Sequence, residues 1–184
     1  MELRIHAYEP ASWANGPGRR AVVWTQGCSI GCPGCFNSAT HDSDGGQTID
    51  TVDLAQRIAT QNEAIDGVSI SGGEPTEQAE AILDLLTQLD GCRLSRMMFS
   101  GRTLEQIRSM TLGPAILAEL DLLIAGPFVQ STPSSLSLLG SENQMIHFLS
   151  DRHNLEELAR IPRMEVVIHK DGTRTVTGFV PPET

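Results

Sequence analysis

Four short apolar runs, each stopped by glycine or by a glycine-rich loop, constrain this chain more than any other feature. Arg20–Gln26 (RAVVWTQ) leads straight into Gly27, and Gly67–Ser71 (GVSIS) stops at Gly72-Gly73. Leu94–Ser100 stops at Gly101, and Asp121–Ala125 (DLLIA) stops at Gly126. Segments with helical apolar spacing lie between them. Asp50–Thr60 puts Val52, Leu54, Ala55, Ile58 and Ala59 on one face, with Asp50 or Thr51 available as cap. Thr76–Leu89 carries a broad stripe through Ala79, Ile82, Leu83, Leu85, Leu86 and Leu89. Thr103–Met110 reads as a short helix opened by a Thr-x-x-Gln cap. Strand, crossover helix and next strand, repeated, predict a parallel sheet with right-handed connections. The strand ends then converge on one rim, where sites in such sheets lie. Asn143–Leu149 adds a further strand. A full eight-unit βα barrel needs about 250 residues, and this chain has 184. The expected fold is therefore α/β in a single domain over 1–184: an incomplete barrel with a curved, mostly parallel sheet.

The tail departs from this pattern. Arg163–Phe179 contains VVIH and TRTVTGF on either side of Lys170-Asp171-Gly172, and Asp-Gly between alternating runs is a strong hairpin signal. A C-terminal β-hairpin is expected, packed on an edge of the sheet and structural rather than catalytic.

Cysteine placement carries the chemistry. Cys28, Cys32 and Cys35 form a Cys-x3-Cys-x2-Cys loop directly after the first run, and Cys92 stands apart. No stretch is apolar enough to cross a bilayer, and MELRIHAYEP lacks the basic start and apolar stretch of a secretory signal. The expected location is the cytoplasm, where clustered thiols bind metal rather than pair as disulfides. Thirteen basic against 23 acidic residues give a net charge of −10, the wrong sign for a nucleic-acid binder.

Gly27, Gly31, Pro33 and Gly34 let the loop backbone fold closely and aim three sulfurs at one centre, with N–H groups free to donate to them. A fully ligated 4Fe–4S cluster takes four cysteines. Three leave one iron open to a substrate. Two rival readings stand beside this one: a structural zinc closed by His41, six residues after Cys35, and a redox thiol set. Zinc sites usually draw ligand pairs from separated segments, whereas here all three thiolates come from one loop. Cys92 reads as a small buried hydrophobe, and His41, His147, His153 and His169 read as surface or structural residues.

Cys-x3-Cys-x2-Cys after a strand resembles the signature of the radical S-adenosylmethionine superfamily. Further stretches narrow the likeness: Asn15-Gly16-Pro17-Gly18-Arg19, Cys32-Pro33-Gly34-Cys35-Phe36-Asn37, Ser71-Gly72-Gly73-Glu74-Pro75, Ser100-Gly101, Gly126-Pro127-Phe128-Val129-Gln130 and Gly140-Ser141-x-Asn143-Gln144. They stand in the order found in the anaerobic ribonucleotide reductase activating proteins, small glycyl-radical enzyme activases. The likeness covers roughly 10–149 and leaves 150–184 as an extension. It implies that Cys28, Cys32 and Cys35 hold the cluster and that the open iron chelates S-adenosylmethionine. Ser71, Gly72, Gly73 and Glu74 would hold the methionine amino group. Phe36 would shield the cluster or adenine, Asn37 and Ser100 would contact the ligand, and Asn143 the adenosyl part. The implied partners are a glycyl-radical enzyme, such as anaerobic ribonucleotide reductase, and a low-potential donor of flavodoxin or ferredoxin type.

Glycines at a strand end also have a reading of their own, since they let a ligand approach the backbone. Arg102 reads as a carboxylate or phosphate clamp or as an ordinary surface residue; Asn15–Gly18 reads as a turn, which the resemblance implies is a substrate-facing loop near the site entrance. The chain departs from the family at Ala125, where an acidic residue is usual, at Pro127, where a basic one is common, and in the Ser-rich stretch 130–139. Three functions are thus open: an activase, a radical enzyme modifying a peptide or small molecule, and a non-catalytic iron–sulfur or zinc module.

Overall fold

The computed structural model describes residues 1–168 and 171–178. His169, Lys170 and Phe179 of the expected hairpin lie outside them. The chain opens with β1 (Glu2–Ser12) and β2 (Arg20–Thr25), then β3 (Gln47–Asp50) and α1 (Thr51–Ala59). β4 (Gly67–Gly72), α2 (Ala79–Gln88), β5 (Ser95–Ser100), α3 (Leu104–Ser109), α4 (Gly113–Ala118) and β6 (Leu122–Ala125) follow. β7 (Met145–Phe148), α5 (Leu155–Leu158), β8 (Met164–Ile168) and β9 (Arg174–Gly178) complete the described part. No helix among the described residues is long and apolar enough to cross a membrane.

The main sheet has seven strands in the order β3-β1-β2-β4-β5-β6-β7. β2, β4, β5 and β6 run parallel, as expected. The flanks do not: β1 pairs antiparallel with β2 and β3, and β7 antiparallel with β6. The sheet is mixed, with a parallel centre.

Helix caps are local and follow the sequence. The Asp50 side chain accepts from the Val52 amide at the start of α1. Thr103 and Gln106 form the reciprocal capping box of α3. The helix expected over Thr76–Leu89 divides into a 3-10 turn, Pro75–Gln78, and then α2. Gln78 explains the break. Its amide accepts from the Arg4 amide N–H (2.8 Å) and donates to the Arg4 and Gln26 carbonyls, so it serves the backbone of β1 and of the residue just past β2.

α1 to α4 cover one face of the sheet over a core that includes Leu3, Val23, Leu54, Ile70, Ile82 and Met98. On the opposite face Met97, Leu122 and Ile124 pack against Leu138, Leu139, Leu158 and Ile161. β8 and β9 form a separate two-stranded sheet. The hairpin does not extend an edge. Side-chain contacts hold it to the end of β1 and the loop after it, where the Trp13 amide donates to the Glu165 carboxylate at 2.8 Å.

Arg20 holds the parallel centre together from inside. Its side chain is fully buried and donates to Ser69 Oγ, Ser95 Oγ and the carbonyls of Pro17, Val68 and Ser95 at 2.7–3.0 Å. Burial pushes the guanidinium down to about 9, so it remains charged at neutral pH. Removing it leaves five bonds unmade around a void. Arg20→Ala is expected to cost about 3 kcal/mol or more in urea melts, with the denaturant slope unchanged. A loss under about 1 kcal/mol would show that these bonds do not secure the strands.

Candidate functional site

The four strand ends meet, as the sequence predicts. Loops after β2, β4, β5 and β6 surround a cavity of about 110 Å³ whose wall includes all three clustered cysteines. Cys28, Cys32 and Cys35 come from the first loop, Ser71, Gly72 and Gly73 from the second, Ser100 and Gly101 from the third, and Gly126 and Phe128 from the fourth. Gly140 and Gln144, just ahead of β7, close the circle.

The cysteine loop is pinched at its neck. Gly27 N–H donates to the Thr40 carbonyl (2.8 Å) and Cys28 N–H to that of His41 (3.2 Å). Ser29 N–H donates to the Glu77 carboxylate at 2.9 Å. The three thiols are free and partly buried. Burial pushes the Cys28 and Cys35 thiols up; hydrogen bonds from the backbone of Gly31 and Ile30 at Cys28, and of Asn37 at Cys35, act the other way.

The glycine turn serves the loop before it serves any ligand. Gly73 N–H donates to the Thr25 carbonyl and Glu74 N–H to that of Gly27, both at 2.9 Å. A Cβ at Gly73 would overlap the Gly27 carbonyl oxygen, and one at Gly72 the backbone of Thr25. These two positions are glycine because two backbones touch there.

Glu74 faces inward. Its carboxylate is buried and accepts from Ser100 Oγ (2.9 Å), Thr76 Oγ (2.6 Å) and the Gly101 amide (2.8 Å). It joins the ends of β4 and β5 from behind the cavity wall. Ser100 lines the cavity, with its hydroxyl proton given to Glu74. Asn143 lies off the wall and its amide donates to the Pro127 carbonyl at 2.7 Å, whereas the neighbouring Gln144 lines the cavity. Arg102 is turned toward Thr76, with Nε 2.9 Å from its hydroxyl, so it clamps the protein's own turn.

Phe36 and Asn37 are both on the wall. Phe36 is 40 % exposed and tilts against Phe128 with ring centroids 4.9 Å apart, so it is not core. The Asn37 amide reaches the Gly72 carbonyl at 3.4 Å. His41, expected at the surface or in a structural role, lines the cavity, and its Nε2 is buried without a hydrogen-bond partner among the described residues. Phe99 and Phe128 are further wall residues; Phe128 falls in the Gly126–Gln130 stretch that carried the likeness, whereas Phe99 had only its place at a strand end. Cys92 packs partly buried against the main core, as its isolation suggested.

These residues fit a 4Fe–4S cluster. Three thiols line one cavity, backbone groups hydrogen-bond two of the sulfurs, and the Gly72-Gly73 turn lines the same cavity. Among the described residues no three His, Cys, Asp or Glu side chains converge on a single ion. Gly73→Ala is expected to push the loop off its seat and lower cluster loading about tenfold, read as iron and sulfide per chain and as sulfur-to-iron absorbance. Unchanged loading would mean that the neck contact is dispensable. In cluster-free protein, Cys28 and Cys35 are expected to alkylate more slowly than free cysteine at about pH 8 and to gain rate as pH rises above the ordinary thiol range. Mass spectrometry resolves the two sites. Rates equal to those of a free thiol would contradict the burial effect.

Residues 14–147 match the family described as 4Fe-4S single cluster domain. The anaerobic ribonucleoside-triphosphate reductase-activating proteins of Escherichia coli K12 and Salmonella typhi are 29% and 30% identical, over 80% of this chain and 99% of each relative. The pyruvate formate-lyase 1-activating enzyme of Escherichia coli K12 is 38% identical over 85 residues, covering 44% of this chain and 35% of that protein. The chain therefore belongs to the 4Fe-4S single cluster domain family and is a radical S-adenosylmethionine enzyme of the activase type, with a 4Fe–4S cluster and S-adenosylmethionine as its cofactors.

Proposed function

We propose that this enzyme installs a glycyl radical on an anaerobic ribonucleoside-triphosphate reductase. The observation that carries the reading is a cavity lined by three thiols and the Gly72-Gly73 turn, in a chain that spans nearly the whole length of the reductase-activating relatives. Held by Cys28, Cys32 and Cys35, a reduced cluster would supply the electron for reductive cleavage of S-adenosylmethionine, and the hydrogen atom would come from a glycine of the partner.

The chain's own residues bind and orient. Cys28, Cys32 and Cys35 hold the cluster, while the exposed backbone of Gly31, Pro33 and Gly34 lets a flavodoxin- or ferredoxin-type donor approach from outside. Backbone carbonyls of Ser71, Gly72 and Gly73 accept from the ammonium of S-adenosylmethionine. Glu74 contributes from a distance, by fixing Ser100 and Gly101. Phe36, Phe128, Asn37 and Gln144 keep water from the adenosyl group. The sheet serves as an incomplete barrel whose open side admits a loop of the partner. We place this chemistry in the cytoplasm, where thiols stay reduced.

The test is anaerobic: reconstitution with iron and sulfide, reduction by dithionite, then S-adenosylmethionine with the reductase from the same genome. Both 5′-deoxyadenosine and a glycyl doublet in electron paramagnetic resonance are expected, and both vanish in Cys32→Ala. Cleavage without a doublet would remove the reductase as target and favour a different peptide or small-molecule substrate. One zinc per chain and no sulfide would instead return the protein to the class of binding modules.

A further inference from the structure

Phe36, Asn37, Ser71 and Phe99 line the cysteine cavity and also a larger cavity of about 300 Å³. One side of the larger cavity is the sheet, through Ala7, Trp24, Ser71 and Phe99. The other side is β9, through Thr175 to Gly178. The hairpin is clasped in place by Ser12 Oγ and Thr177 Oγ, 2.9 Å apart and buried. The same Ser12 hydroxyl accepts from the Asn15 amide at 2.8 Å, which sets Asn15 on the cavity wall.

The lining states what fits. His6, whose Nδ1 donates to the Gln26 side-chain carbonyl at 2.9 Å, is the one ionisable side chain on the wall among the described residues; Asn15, Asn37 and Thr40 share it with the rings of Trp24 and Phe36. No Lys or Arg is there to clamp a phosphate or carboxylate. An uncharged peptide finds donors, acceptors and flat apolar surfaces.

The outer side of the hairpin is apolar and open. Met164, Val166 and Ile168 alternate along β8, Val166 pairs with Val176, and all four are at least 46 % exposed. A strand pair that turns its apolar face to solvent beside a cavity is a docking feature rather than a packing one. Val176 belongs to both, since it also lines the cavity.

We propose that the hairpin is the docking wall for the protein substrate. An extended, uncharged, glycine-bearing segment of the partner enters between β9 and the sheet, and the body of the partner rests on Met164, Val166, Ile168 and Val176. The cavity shares Phe36 and Asn37 with the cysteine cavity, so a segment lying in it runs up to the site. This rests on the function proposed above and names the surface that selects its substrate. The hairpin lies beyond residue 147, where the family match ends, so the selectivity belongs to this chain's own extension.

Val176→Arg and Val166→Asp change exposed side chains in the full-length, cluster-loaded enzyme, and a chain ending at residue 162 removes the wall. The probes are the intact reductase and a fluorescent synthetic peptide spanning its radical glycine. In both point variants, partner-free S-adenosylmethionine cleavage is expected to stay within about twofold of wild type. Peptide affinity falls about tenfold, and KM for the reductase rises in step while kcat holds. The truncated chain repeats the pattern if it loads cluster. Unchanged peptide affinity and KM in the point variants overturn the inference and leave the proposed function standing. Loss of partner-free cleavage in those variants overturns it too, by making the hairpin a support of the cofactor site. A wild-type chain that cleaves S-adenosylmethionine but gives no doublet on the reductase fails at the earlier step, and the inference falls with it. A dimer in sedimentation that Val176→Arg dissolves assigns the apolar row to a second copy and also overturns it.

Discussion

The neck of the cysteine loop rests on the bare backbone of the glycine turn, and the site is arranged around that contact. The Glu74 amide bonds the Gly27 carbonyl, the Gly73 amide bonds that of Thr25, and neither glycine has room for a methyl group. A side chain at either position would lift the loop and carry three sulfurs with it. Backbone-to-backbone seating is stiff because it has no rotamers to redistribute. The position of the thiols therefore follows from the parallel pairing of β2 with β4, which brings Thr25 beside Gly72, and from Arg20, which bonds groups of β4 and β5 from beneath.

Much of this was legible in sequence because it repeats locally. The parallel centre, the crossover helices, the Asp50 cap and the Thr103 capping box all rest on short-range periodicity and turn chemistry. β1 was illegible for a physical reason: register shifts between Ile5 and Ala7 and between Glu9 and Ser12 break the alternation that marks a strand. α4 begins at Gly113-Pro114, which reads as a turn, and the antiparallel flanks followed from neither spacing nor composition. The hairpin was visible as a hairpin. Its seat was not, since that depends on Ser12 and Glu165, two ordinary polar residues.

At the site, residue types were easier to read than their directions. The cysteines, Phe36, Asn37 and the glycine turn all stand on the cavity wall. Glu74, in contrast, looks like a ligand group in sequence and is a strut in space, satisfied by Ser100, Thr76 and Gly101. Side-chain direction is set by the next strand over, which a linear motif does not contain. The same holds for His41, whose ring reaches the cavity because the loop folds back to bring its carbonyl to the Cys28 amide. Ala125 is buried and followed by Gly126, whose amide meets the carbonyls of Ser100 and Arg102. The rim closes there through backbone alone, without the acidic side chain usual at that place.

Ser12 and Thr177 stand 165 residues apart in the chain, so their clasp joins β1 to β9. The rim that carries the thiols is complete once Gln144 has been made, while the larger cavity still lacks one side. Contacts of such long sequence separation form late. Until β9 docks, the larger cavity is open on that side, and metal delivery has its broadest opening then. The centre and the wall that screens what reaches it are thus separable parts of the chain.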